Sequence, residues 1–148
     1  MPDIPDKLEE LLEDFSTITD RTERQEYLIE IADRFPDVRV PPDIASKPYP
    51  DDHKVPACES EAFVWAKEQP DGTLKYYFDV LNPQGLSAMA MSVILDQTVS
   101  GQPLEEVANI SPEIVFTLFG REISMGKGQG LMSIVQMVKH EAKKRLAS

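Results

Sequence analysis

Apolar residues in the first 35 positions recur at helical spacing. Leu8, Leu11, Leu12 and Phe15 lie three and four apart, one stripe of a helix for which Asp6 is available as a cap. Asp20-Arg21-Thr22-Glu23 has the spacing of a capping box, and Leu28, Ile31, Ala32 and Phe35 share one face of a second helix. Pro36 is expected to end it, because its ring cannot continue the hydrogen-bond ladder. Residues 36–57 hold six prolines and read as an ordered but irregular loop.

The period then changes. Residues 60–68 are rich in Ala, Phe, Val and Trp, and Leu74, Tyr76, Phe78 and Val80 alternate with Lys75, Tyr77 and Asp79. Pro70-Asp71-Gly72-Thr73 between them is turn chemistry, so the two runs predict a β-hairpin. From Leu86 to Val99 the chain is apolar nearly all round, the mark of a central buried helix, with Gly101 as its stop. Pro103 and Pro112 suit first helical positions of two short helices reaching Val107 and Leu118. After a loop at 120–126, Leu131, Ile134, Val135, Val138 and Ala142 form the stripe of a long last helix. Its basic end (Lys139, Lys143, Lys144, Arg145) complements the helix dipole. The order ααββαααα describes one α+β domain over residues 1–148: a small antiparallel sheet, the hairpin with room for a third strand, packed against helices.

Composition narrows the function classes. The 148 residues carry a net charge of −11, which repels nucleic acid and anionic membrane and is compatible with docking on a basic protein surface. No apolar run approaches the ~18 residues of a membrane span, and the acidic N-terminus does not read as a signal peptide. With one unpaired cysteine, the expectation is a reducing, cytoplasmic compartment.

Three chemistries are disfavoured by spacing. The stretch from Gly120 to Gly128 departs from a P-loop, with five residues between Gly120 and Gly126 and Gly128 where a Ser or Thr should bind magnesium. Gly126, Gly128 and Gly130 read more simply as a flexible entry to the last helix. One Cys with His53 and His140 matches no standard metal spacing, so neither a metal nor another cofactor is expected. For a cysteine hydrolase, His53 could approach the thiol and His140 reads as solvated, but no oxyanion-hole signature accompanies them.

Cys58 remains. It lies at a loop-to-strand junction in Val55-Pro56-Ala57-Cys58-Glu59-Ser60-Glu61-Ala62-Phe63, where it is either a presented thiol or a small buried hydrophobe. This segment resembles the SufE family pattern V-x-G-C-x-S-x-V-[WY], and Gly128-Gln129-Gly130-Leu131 is similar to the start of that family's last helix. Ala57 stands where the family usually has Gly, Ala62-Phe63 where it has Val and an aromatic, and Lys127 near where many members carry Arg, without Arg's planar fork.

The resemblance implies a SufE/IscU-like fold and a role in iron-sulfur cluster assembly. In that role Cys58 takes persulfide sulfur from a SufS-like, pyridoxal-phosphate-dependent cysteine desulfurase and passes it to a SufBCD-like scaffold, supported by Lys127, His53 and Ser60. It makes the chain a carrier and activator of a desulfurase, with no cofactor of its own. Glu59 and Glu61 oppose negative charge on sulfur, so Lys127 or the partner is expected to compensate. The alternative is a non-catalytic adaptor of a desulfurase with an inert Cys58. Exposure of Cys58 and its nearness to Lys127 separate the two.

Overall fold

The computed structural model describes residues 3–147. Within the described residues, six α-helices run in the order α1 (Asp6–Ser16), α2 (Arg21–Ala32), α3 (Leu86–Val99), α4 (Leu104–Ala108), α5 (Ile114–Phe119) and α6 (Met125–Leu146). Between α2 and α3 lies the hairpin of β1 (Ala62–Glu68) and β2 (Leu74–Val80). This is the α+β arrangement anticipated, and α3 is its hub, packing on α1, α2, α6 and β2. Ser92 and Thr98 stay buried in α3 because their hydroxyls donate to the Ala88 and Ile94 carbonyls one turn back.

Local physics moves several boundaries. Asp6 is the first helical residue of α1, not its cap; Pro5 holds the cap position with no side-chain bond. Asp20 caps α2 by accepting from the Thr22 N–H at 2.9 Å, one residue short of the box spacing. That helix stops at Ala32, four residues before Pro36, whose ring would clash with the carbonyl of residue 32 in a continued helix. Pro36 instead sits in a 3-10 turn over Phe35–Asp37. Strand β1 begins at Ala62 rather than residue 60, since Glu61 has φ 53°, outside the β region. Pro103 caps α4 from outside the helix, and Pro112 precedes α5 by two residues.

The largest departure is at the start of α6. Ser124 accepts from the Lys127 N–H, so the helix begins at Met125 and Gly126, Gly128 and Gly130 lie inside it. They are not a flexible entry.

The sheet pairs Ala62 with Val80 through Glu68 with Leu74, and its order is β1-β2. No third strand forms among the described residues. Two isolated bridges, Arg39 with Phe78 and Lys54 with Phe63, take its place. Residues between α2 and β1 also cover the hairpin face that the helices do not. Phe63 and Trp65 are buried there with Val40, and Tyr49 and His53 pack on them. Ala62, Val64, Tyr76 and Phe78 belong to the main helical core. A hairpin alone is marginal in water; this one is buried on both faces.

Candidate functional site

Cys58 lies on a six-residue loop, residues 56–61, closed at its base by the Val55 N–H donating to the Ala62 carbonyl at 2.8 Å. The Glu61 N–H turns back to the Cys58 carbonyl at 3.2 Å, and the Leu81 and Asn82 N–H groups donate to the Glu61 and Ser60 carbonyls. Two non-glycine residues flank the thiol in the left-handed region: Ala57 at φ 61° and Glu61 at φ 53°. Such backbone persists only where the surroundings over-determine it. The loop is therefore a held conformation.

The thiol is half-buried, packed against the edge of the main core. It opens on a cleft of about 340 Å³ whose walls come from four parts of the chain. Helix α2 contributes Leu28 and Ile29, the loop contributes Cys58, Glu59 and Ser60, the start of α3 contributes Gly85 to Ala88, and α6 contributes Gly126, Lys127, Gly130 and Leu131. Lys127 and Cys58, some seventy positions apart, thus line one cleft.

The close approach of α6 to the loop depends on a missing side chain. A Cβ on Gly130 would stand 3.2 Å from both the Ala57 carbonyl oxygen and Cys58 Cα. Ser60 is fixed on the opposite wall, where a Cβ on Gly85 would meet its Cβ and Oγ at 2.9 Å. His53 is placed elsewhere. Its Nδ1 is 3.0 Å from the Val64 carbonyl oxygen and its ring stacks on Trp65, and it does not line the Cys58 cleft. His140 is exposed on α6, as its polar position implies.

Exposed apolar side chains gather at this cleft among its polar ones. Among the described residues the exposed large hydrophobic side chains are Ile29, Leu86, Met125 and Leu146. Ile29 and Leu86 line this cleft, and Met125, 80% exposed, adjoins the lining residue Gly126. The expectation that the run from Leu86 is buried fails at Leu86 itself, which is 47% exposed at the first position of α3. Sequence reading assigned no role to Ile29 and Met125. Their signal was a mismatch: Ile29 lies outside the apolar stripe of α2, and Met125 precedes the stripe of α6. Most of the carboxylates fall in the first 61 residues, among them Glu23, Glu26 and Glu30 on α2, which forms one wall of the cleft, and Glu59 and Glu61 on the thiol loop.

A second cleft lies on the far side of the segment after β2, lined by Arg39, Lys47, Tyr49, Asp79, Leu81 and Met89 among others. Buried Asp79 is satisfied there: Tyr49 donates to Oδ2 at 2.6 Å, the Val80 N–H to Oδ1 at 2.8 Å, and Arg39 Nε lies 3.4 Å away. Burial first, and then this bond, push the Tyr49 hydroxyl up to about 12. The arrangement is structural. No group of three or more His, Cys, Asp or Glu with the geometry to hold a metal occurs among the described residues.

Residues 9–142 match the model of the SufE family, described as an Fe-S metabolism associated domain. The chain belongs to the SufE family. Among SufE relatives, an uncharacterized SufE-like protein of Rhizobium etli is 26% identical over 95% of this chain and 93% of its own length. The solution structure of a hypothetical protein from Thermus thermophilus shares the fold, with a TM-score of 0.71 at 24% identity over 98% of this chain and 99% of that one. Membership of the SufE family assigns the chain to iron-sulfur metabolism. No described helix is long and apolar enough to cross a membrane.

Proposed function

We propose that this SufE-family chain is a sulfur acceptor and carrier, with Cys58 as the atom that holds the sulfur. The observation that carries the reading is the setting of the thiol. Cys58 stands on a constrained loop and opens on a cleft that Lys127 also lines, with the exposed apolar side chains of Ile29 and Leu86 on the same cleft. An inert core cysteine needs none of these, whereas a thiol that must meet another protein's persulfide needs access and a docking surface around it.

The chemistry balances without a cofactor on this chain. The Cys58 thiolate attacks the outer sulfur of a persulfide held on a cysteine desulfurase. A new S–S bond forms at Cys58, the donor's S–S bond breaks, and the donor cysteine leaves as a thiolate. Cys58 is left as a persulfide, and a second exchange of the same kind delivers the outer sulfur to an iron-sulfur scaffold. Lys127 supplies positive charge on the cleft wall against Glu59. Pyridoxal phosphate belongs to the donor enzyme, where it releases sulfur from free cysteine. The acidic elements around the loop favour a donor with a basic surface, and a cytoplasmic setting keeps the thiol reduced.

Incubation with a PLP-dependent cysteine desulfurase and cysteine tests the reading by intact mass. Wild-type protein gains one sulfur atom, and Cys58→Ser gains none while keeping its thermal melt. A Cys58→Ser protein that still stimulates desulfuration in full makes the chain an adaptor with an inert cysteine, and the carrier reading falls.

A further inference from the structure

We propose that Gly130 is a positioning residue for Cys58: the missing side chain on α6 sets where the loop holds the thiol. The proposal rests on the carrier reading for its consequence in sulfur transfer, but its geometry stands without it. A Cβ at Gly130 would lie 3.2 Å from the Ala57 carbonyl oxygen, 3.2 Å from Cys58 Cα and 3.5 Å from Cys58 Cβ. Two of these neighbours are backbone atoms, which cannot swing aside like the end of a side chain.

Helix α6 cannot give way, because Leu131, Ile134, Val135 and Val138 key it into the core at 2% exposure or less. The loop must yield instead. It is held at its base by the Val55–Ala62 bond and already carries Ala57 at φ 61°, where a Cβ is disfavoured. A methyl group at position 130 therefore drives Cys58 away from α6 and off the core edge it packs against. Gly128, half a turn earlier, makes a different contact: its Cβ would meet only the Ile123 side chain, at 3.3 Å. Gly128→Ala thus places the same methyl on the same helix without touching the thiol loop.

The experiment compares Gly130→Ala, Gly128→Ala, Ala57→Gly and the double variant Gly130→Ala/Ala57→Gly in the full chain. Three quantities are read: thermal melt, rate of Cys58 alkylation by iodoacetamide, and sulfur accepted from a PLP-dependent desulfurase by mass. In Gly130→Ala we expect alkylation about threefold faster or more and sulfur acceptance about tenfold slower, the scale on which a displaced reacting atom costs rate. Gly128→Ala and Ala57→Gly stay near wild type in both. The double variant recovers a large part of the loss, because glycine at 57 lets the displaced loop adopt its new backbone freely.

Alkylation that does not rise in Gly130→Ala overturns the proposal, as does a double variant with no recovery. If Gly130→Ala does not fold, the double variant decides; its failure to fold makes Gly130 a folding residue and ends the proposal. Should wild-type protein accept no sulfur, the carrier reading falls while alkylation still tests the role of Gly130.

Discussion

Ser60 occupies the space that a side chain on Gly85 would need. Gly85 precedes α3 with φ −79°, outside the left-handed region that favours glycine, so the requirement shown there is for room. A Cβ there would lie 2.9 Å from Ser60 Cβ, Ser60 Oγ and Val80 Cγ1, none of them the end of a long flexible chain. Gly85→Ala is expected to destabilise the fold by about 1–3 kcal/mol through overpacking. Ser60→Gly in the same chain should restore part of it, as urea midpoints would show. A Gly85→Ala protein of full stability would mean the α3 start is free to move from the loop.

Lys127 has no hydrogen-bond or ion-pair partner through its side chain among the described residues, and it lines the Cys58 cleft, so its charge is available to the thiol and to a bound persulfide. Lys127→Ala should slow both iodoacetamide alkylation of Cys58 at pH 7 and sulfur acceptance by about two- to tenfold, a charge effect at a partly screened site. Lys127→Arg should be mild. The alkylation defect should shrink in high salt; equal rates in all three proteins would remove Lys127 from the chemistry.

The apolar rim makes a prediction that separates docking from folding. Ile29→Glu and Leu86→Glu alter side chains that are 48% and 47% exposed, so the melting temperature should change little. Stimulation of the desulfurase should require about tenfold more of either variant, as expected when an anchor in an interface loses more than ~1 kcal/mol. Stimulation curves that overlay wild type would place the partner elsewhere.

The Tyr49–Asp79 pair predicts behaviour at alkaline pH. With its folded value near 12, above the ordinary value of 10, Tyr49 keeps its proton longer in the folded chain than in the unfolded one. Its contribution is therefore complete below pH 10 and is lost as the pH rises through about 12. Tyr49→Phe should flatten the fall in stability between these limits. It should also cost about 1–3 kcal/mol at neutral pH by leaving the buried Asp79 carboxylate short of a donor. Denaturant midpoints from pH 8 to 12 would show both effects, and parallel curves for the two proteins would contradict the first.

Much of this fold is legible in the sequence because periodicity reports burial. The stripes of α1, α2 and α6, the alternation of β2 as far as Phe78 and the largely apolar run of α3 mark most of what is buried. Asp79, on the polar side of the β2 pattern, is buried all the same, and Leu86 at the start of α3 is exposed. The boundaries are less legible, because they depend on single groups: the ring of Pro36 acting on the carbonyl of residue 32, or the Ser124 hydroxyl starting α6 ahead of its glycines. For the candidate site, the sequence singled out Cys58 and Lys127, and the structure places both on one cleft. The apolar rim was not readable as a unit, since Ile29, Leu86 and Met125 come from three helices and share no spacing. His53 shows the opposite error. Five residues from Cys58 in sequence, it stacks on Trp65 and meets the Val64 carbonyl, and it does not line the Cys58 cleft.

The proline-bearing segment between α2 and β1 has a further consequence. Its Val38 and Val40 exchange hydrogen bonds with Phe78 along the outside of β2, while Val55 and His53 reach Ala62 and Val64 along the outside of β1. One stretch of chain thus caps both margins of a ribbon that would otherwise be an open template for strand addition by other molecules. Lesions there should surface first as insolubility and self-association during expression, well before any purified protein could be assayed for sulfur. For anyone engineering this chain, residues 38–55 are a seal to be left closed, however much they look like a spare linker.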